Sequence, residues 1–121
     1  YELGVGVHGE AAVHRIQVNG AEAIARKMCD ILINDKPYSK DDEVLVLVNG
    51  CGQTTYGELL IFFGEVKKYL DIQGIKVYRP AIGSFITTQE MAGIALSFCK
   101  VDEDIKKCWD SDTDAPGFPK Q

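Results

Sequence analysis

The sequence is poor in the residues that hold metals. It has two histidines and four cysteines. Cys29, Cys51, Cys99 and Cys108 form no C-x-x-C pair, and no spacing joins them to His8 or His14, so no metal site is legible. Positive charge is also short. Lys and Arg number 13 against 18 Asp and Glu, a net charge of -5. That balance argues against a nucleic-acid or anionic-membrane partner. No apolar run approaches the length of a membrane span, and no signal peptide is visible. Gly50-Cys51-Gly52-Gln53-Thr54 lacks the Lys-Ser/Thr end of a P-loop. Gly4-x-Gly6-x-x-Gly9 matches a dinucleotide fingerprint only by letters, because too little chain precedes it to make the required strand. There is no internal repeat and no low-complexity segment.

What is present describes an ordinary α/β domain. The 121 residues suit a single domain, 1–121, with a real core. A chain this aliphatic needs no disulfide staples. The cysteines read as reduced thiols in an intracellular, cytoplasmic protein, with Cys29, Cys99 and Cys108 buried. The chain begins at Tyr1, without Met and directly in an apparent strand, which reads as part of a longer protein or a processed chain.

Residues 2–8 alternate Leu3, Val5 and Val7 with Glu2, Gly4, Gly6 and His8, a strand pattern with one bare face. Residues 9–20 read as a connection. Asn19 and Glu22 have capping-box spacing, and Ala21, Ile24, Met28, Ile31 and Leu32 follow at helical spacing up to Pro37. Val44–Val48 is an unbroken aliphatic run, the mark of a strand covered on both faces. A loop, 49–52, follows it. Thr55 and Glu58 open a second helix that closes at Gly74. Residues 75–82 read as a strand that Pro80 makes irregular or places at an edge. Residues 83–93 form a polar connection, 94–99 a half-buried strand, and 102–109 a short helix. The acidic, Pro-containing tail lies over the surface. The order β-α-β-α-β-β-α implies parallel crossovers, with the last two strands antiparallel. The predicted fold is a two-layer α/β domain with a mixed sheet and helices on one face. Its open face would dock on another domain or subunit.

His8 is the candidate for chemistry. A surface imidazole at a strand end is the plain reading. Against it, Gly6 and Gly9 leave room for close approach, and an accessible imidazole can act as base, ligand or nucleophile. Glu10 either orients that ring or is an exposed loop acid. Glu58 reads as a capping residue. Thr87, Thr88 and Glu90 have capping-like spacing and read as structural, and His14 reads as solvated.

Four blocks then carry a resemblance along essentially the whole chain. They are Glu2-Leu-Gly-Val-Gly-Val-His-Gly-Glu10, Leu47-Val-Asn-Gly-Cys-Gly-Gln-Thr54, Gly57-Glu-Leu-Leu60 and Thr87-Thr-Gln-Glu-Met-Ala-Gly93. In order, they resemble the C-terminal domain of the dihydroxyacetone-binding K subunit of dihydroxyacetone (glycerone) kinase, of the bacterial phosphotransferase-dependent type. The resemblance implies a kinase component in which His8 anchors dihydroxyacetone as a covalent hemiaminal. The addition needs a neutral ring and is lost as acid protonates it. It also implies a nucleotide-binding L subunit that supplies the phosphoryl group, a phosphotransferase M subunit that recharges it, and a homodimer in full-length form. No cofactor would be bound by this chain. Departures stand beside the match. The family's His-Gly-Glu-Pro-Gly is His8-Gly9-Glu10-Ala11-Ala12 here, so the loop should take another path, such as a helical turn. The family's Thr-Ser-Leu-Asp-Met is Thr87-Thr-Gln-Glu-Met91. The family's N-terminal domain, with its acid/base groups, has no counterpart in these residues. A non-catalytic paralogue that senses dihydroxyacetone as a transcriptional coactivator is the alternative.

Overall fold

A computed structural model describes residues 1–17 and 19–118. The elements are β1 (Glu2–Leu3), β2 (His14–Arg15), α1 (Gly20–Asp35), β3 (Glu43–Gly52), α2 (Tyr56–Gln73), β4 (Lys76–Val77), β5 (Ala81–Gly83), β6 (Ala92–Lys100) and α3 (Glu103–Asp110). β3 is the centre of the main sheet. Along one edge, β6 pairs with it antiparallel from Val44↔Lys100 to Gly52↔Ala92. Along the other, β4 and β5 pair with it in parallel, one after the other. The expected strand over 75–82 is therefore one edge strand broken in two. The break holds Pro80, and Arg79 beside it takes φ 37°.

α1 and α2 pack on one face of this mixed sheet, as the two-layer reading expects. The core joins Val44, Val46 and Val48 of β3 to Ala25 and Cys29 of α1 and to Leu59, Phe62, Val66 and Leu70 of α2. The strand pleat sends Leu45, Leu47 and Asn49 to the other face. α3 is tied to the sheet by polar links. Lys106 pairs with Glu43, and the Tyr78 hydroxyl donates to Asp110 at 2.6 Å. Arg79 faces Asp110 at 3.0 Å, an ion-pair distance off the line of a hydrogen bond. Among the described residues, no helix is long and apolar enough to cross a membrane.

Several expectations are corrected. β1 ends at Leu3 and pairs with β2, not with the main sheet, so the first α/β crossover does not exist. Asn19 makes no side-chain cap for α1. β3 continues through 49–52, where a loop was expected. β6 lies antiparallel to β3, and is not the partner of β5. Cys29 is buried, and burial pushes its thiol up to about 12, but Cys99 and Cys108 are exposed. Cys99 stands opposite Leu45, on the face that α1 and α2 leave bare. A residue type's usual burial does not say which face of a strand it occupies.

The capping box at α2 is complete. The Thr55 hydroxyl accepts from Glu58 N–H, and the Glu58 carboxylate accepts from Thr55 N–H at 2.8 Å. Those bonds, from the Thr55 backbone and then its hydroxyl, hold the Glu58 carboxyl below its ordinary range. A depressed carboxyl stabilises the fold above its unfolded pKa and loses that contribution as pH falls through the folded value. Glu58→Gln should therefore melt below the wild type near neutrality, and the gap should close in acid. Thermal melts across that range check it. A gap that does not change with pH would rule this out.

Candidate functional site at the His8 turn

The first seventeen residues form a hairpin. Val13 N–H donates to Leu3 O at 2.8 Å and Ile16 N–H to Tyr1 O at 2.9 Å. Glycine makes the tip. Gly4 takes φ 78°, and a Cβ there would come within 2.8 Å of Val13 Cγ2. The alternation of apolar residues with glycine, which reads as a strand, is here a strand that ends and a chain that turns. His8 lies in that turn. Gly9 N–H donates to Gly6 O at 3.1 Å and Gly6 N–H to Glu10 O at 3.0 Å, with Gly9 at φ 88°. The ring is exposed at the hairpin tip.

Glu10 is an exposed loop acid, one of its two sequence readings. Its carboxylate accepts from the backbone N–H of His8 at 3.1 Å, so it braces the main chain. A side chain on Gly6 would collide with this carboxylate. Gly6, Gly9 and Glu10 thus fix where His8 sits, while its imidazole faces solvent. Ala11 and Ala12 run on into β2 without a helical turn, contrary to expectation. His14 is exposed on β2, opposite Leu3. Among the described residues, no three His, Cys, Asp or Glu side chains come together as a metal site would require.

The second and fourth sequence blocks meet elsewhere, at the carboxyl end of β3. Asn49, only 7% exposed, holds the loop after β5. Its Oδ1 accepts from Phe85 N–H at 2.7 Å and Ile86 N–H at 2.9 Å, and its Nδ2 donates to Ile86 O at 2.7 Å. Gly52 N–H donates to Thr87 Oγ1 at 2.9 Å. Cys51 Sγ accepts weakly from Asn49. Thr87 is therefore structural, as expected. Asn49 was not singled out from the sequence, because its partners lie 36 and 37 residues away.

Comparison with known proteins agrees with the sequence blocks. The Dak1 domain profile matches residues 1–117. D-erythrulose kinase of Mycolicibacterium smegmatis is 32% identical over 98% of this chain and 20% of its own length. Human triokinase/FMN cyclase is 35% identical over 98% of this chain and 21% of its own. The dihydroxyacetone-binding subunit of the PTS-dependent dihydroxyacetone kinase 2 of Listeria innocua is 27% identical over 97% of this chain and 35% of its own. Among solved structures, one concerned with regulation of the dha operon of Lactococcus lactis superposes with a TM-score of 0.82 at 30% identity, over 97% of this chain and 37% of that one. A dihydroxyacetone kinase operon co-activator superposes with a TM-score of 0.79 at 29% identity, over 88% and 33%. This chain thus spans about a fifth of the first two kinases. The chain belongs to the Dak1 domain family of the dihydroxyacetone kinases.

Proposed function

We propose that this domain anchors a short ketose, dihydroxyacetone in the first instance, for phosphorylation, and that His8 is the anchor. The observation that supports the reading is the exposed His8 ring on a turn braced by Glu10, Gly6 and Gly9. A neutral ring nitrogen adds to the ketone carbon. The C–N bond forms as the carbonyl π bond opens onto oxygen. That oxygen takes up a proton, and the other ring nitrogen loses one, leaving a neutral hemiaminal. Phosphoryl transfer follows at a hydroxymethyl group that the anchor leaves free. The donor is a nucleotide on an L-type partner, recharged in turn by an M-type phosphotransferase. The names of the relatives fit this chemistry, since dihydroxyacetone and erythrulose both place a ketone beside a hydroxymethyl group.

The base for that hydroxyl lies outside these residues, in a preceding domain. Val7 and Val13, 77% and 69% exposed on the His8 hairpin, give such a domain apolar surface to cover. The full-length protein is a cytoplasmic homodimer in this reading. The likeness to a co-activator structure supports a second reading, a sensor that keeps the His8 adduct without catalysis. Calorimetry on the full-length protein tests the shared premise. Dihydroxyacetone and erythrulose should bind and glycerol, which lacks a carbonyl, should not. Equal binding of glycerol would sink the anchor. Phosphorylation of dihydroxyacetone on adding the nucleotide-binding partner then selects the kinase, and adduct without turnover selects the sensor.

A further inference from the structure

The face of the sheet that α1 and α2 leave bare is not empty. It carries an apolar groove of about 380 Å³. Leu45 and Leu47 of β3 form its floor, and Phe85, Trp109 and Phe118 wall it. These three rings come from separate parts of the chain. Phe85 stands on the loop that Asn49 holds. Trp109 lies in the last turn of α3, which Lys106 and Asp110 tie to the sheet edge. Phe118 reaches back from the segment after α3. Its ring lies 5.2 Å from that of Phe85 and 5.6 Å from that of Trp109, tilted by 58° and 52°. These are favourable aromatic contacts.

The segment that carries Phe118 has the composition of a linker. Ser111, Asp112, Asp114, Pro116 and Gly117 are exposed. Ser111 N–H donates to Cys108 O, Ala115 N–H to Thr113 Oγ1 and Phe118 N–H to Ala115 O, all local bonds. Thr113 adds an isolated β-bridge. The far end is held by a ring, while Phe85 and Trp109 have supports of their own. We propose that residues 111–118 are a releasable strap with Phe118 as its clasp, held between Phe85 and Trp109. Seated, the ring forms one wall of the groove above Leu45 and Leu47. Withdrawn, it widens the groove and bares the faces of Phe85 and Trp109 that it had covered. This device is independent of His8.

Trp109 is the chain's only tryptophan, so its fluorescence reports on the strap. In the wild-type chain, urea should shift Trp109 emission to the red before far-UV circular dichroism records loss of helix. Phe118→Ala should show the shifted emission in water, with acrylamide quenching of Trp109 raised roughly threefold over wild type. Phe118→Leu, which keeps an apolar side chain between Phe85 and Trp109, should stay near wild type. Coincident urea transitions in the wild type would overturn the strap. So would a folded Phe118→Ala whose Trp109 stays shielded, whether the groove closes on itself or a second copy covers it. If Phe118→Ala loses helix, the wild-type titration decides.

Discussion

Gly52→Ala should destabilise the domain by roughly 3 kcal/mol, combining the cost of a left-handed L-residue with that of overpacking. At this chain length that is a fall in Tm of roughly 10 °C. Gly52 ends β3 at φ 68°, a conformation that glycine adopts freely. A Cβ there would lie far inside van der Waals contact with the Met91 carbonyl oxygen and 2.8 Å from the Thr88 carbonyl oxygen. Both neighbours are backbone, so neither swings away as a side chain would. Moving them breaks the bond from Gln53 N–H to Met91 O, 2.6 Å, and the pairing of Gly52 with Ala92. Gly20 is the control. It has φ 84° but nothing within 4 Å of an added Cβ. Gly20→Ala should cost only the backbone part, about 1 kcal/mol. Equal losses in thermal melts of the two variants would refute the steric argument.

The main sheet and its helices were legible because their signals are local and repeated. Val44–Val48 reads as a covered strand, and the spacing of Leu59, Phe62, Val66 and Leu70 reads as one helix face. Thr55 with Glu58 marks the start of that helix, and Gly74, at φ 73°, its end. The hairpin is not legible in the sequence, for a definite reason. Period-two alternation cannot separate a glycine that extends a strand from one that turns it. Gly4 at φ 78° turns it. The choice between the two depends on Val13, nine residues on, which no local pattern contains.

His8 was legible as a candidate, and the blocks that identify its family were legible in order. Its bracing was not. Glu10 carries the kind of side chain that orients an imidazole, yet it is two residues away on a tight turn. At that separation its carboxylate meets the His8 backbone N–H first. Asn49 closes an aliphatic run, and such a polar residue reads as the start of a loop. Its buried place becomes intelligible only once the 84–87 loop folds over it.

His8→Ala should abolish covalent capture of dihydroxyacetone while leaving the fold intact. The side chain is exposed, and Glu10 and Gly9 brace the turn through backbone groups that alanine retains. The variant should melt within about 0.5 kcal/mol of wild type, as surface substitutions usually do. Losing the nucleophile removes the C–N bond outright, so adduct should be lost completely, and neither Glu10 nor His14 should replace it. Glu10→Gln tests the brace separately. It keeps an acceptor for the His8 N–H and should leave the adduct in place.

The most direct measurement is carbon-13 NMR of dihydroxyacetone labelled at its carbonyl carbon, mixed with the full-length protein and with its His8→Ala variant. The wild type should give a bound resonance in the tetrahedral-carbon region, and the variant only the free substrate's signals. A wild-type protein that binds the substrate but leaves its carbon a ketone, or a variant that still forms the adduct, would contradict it.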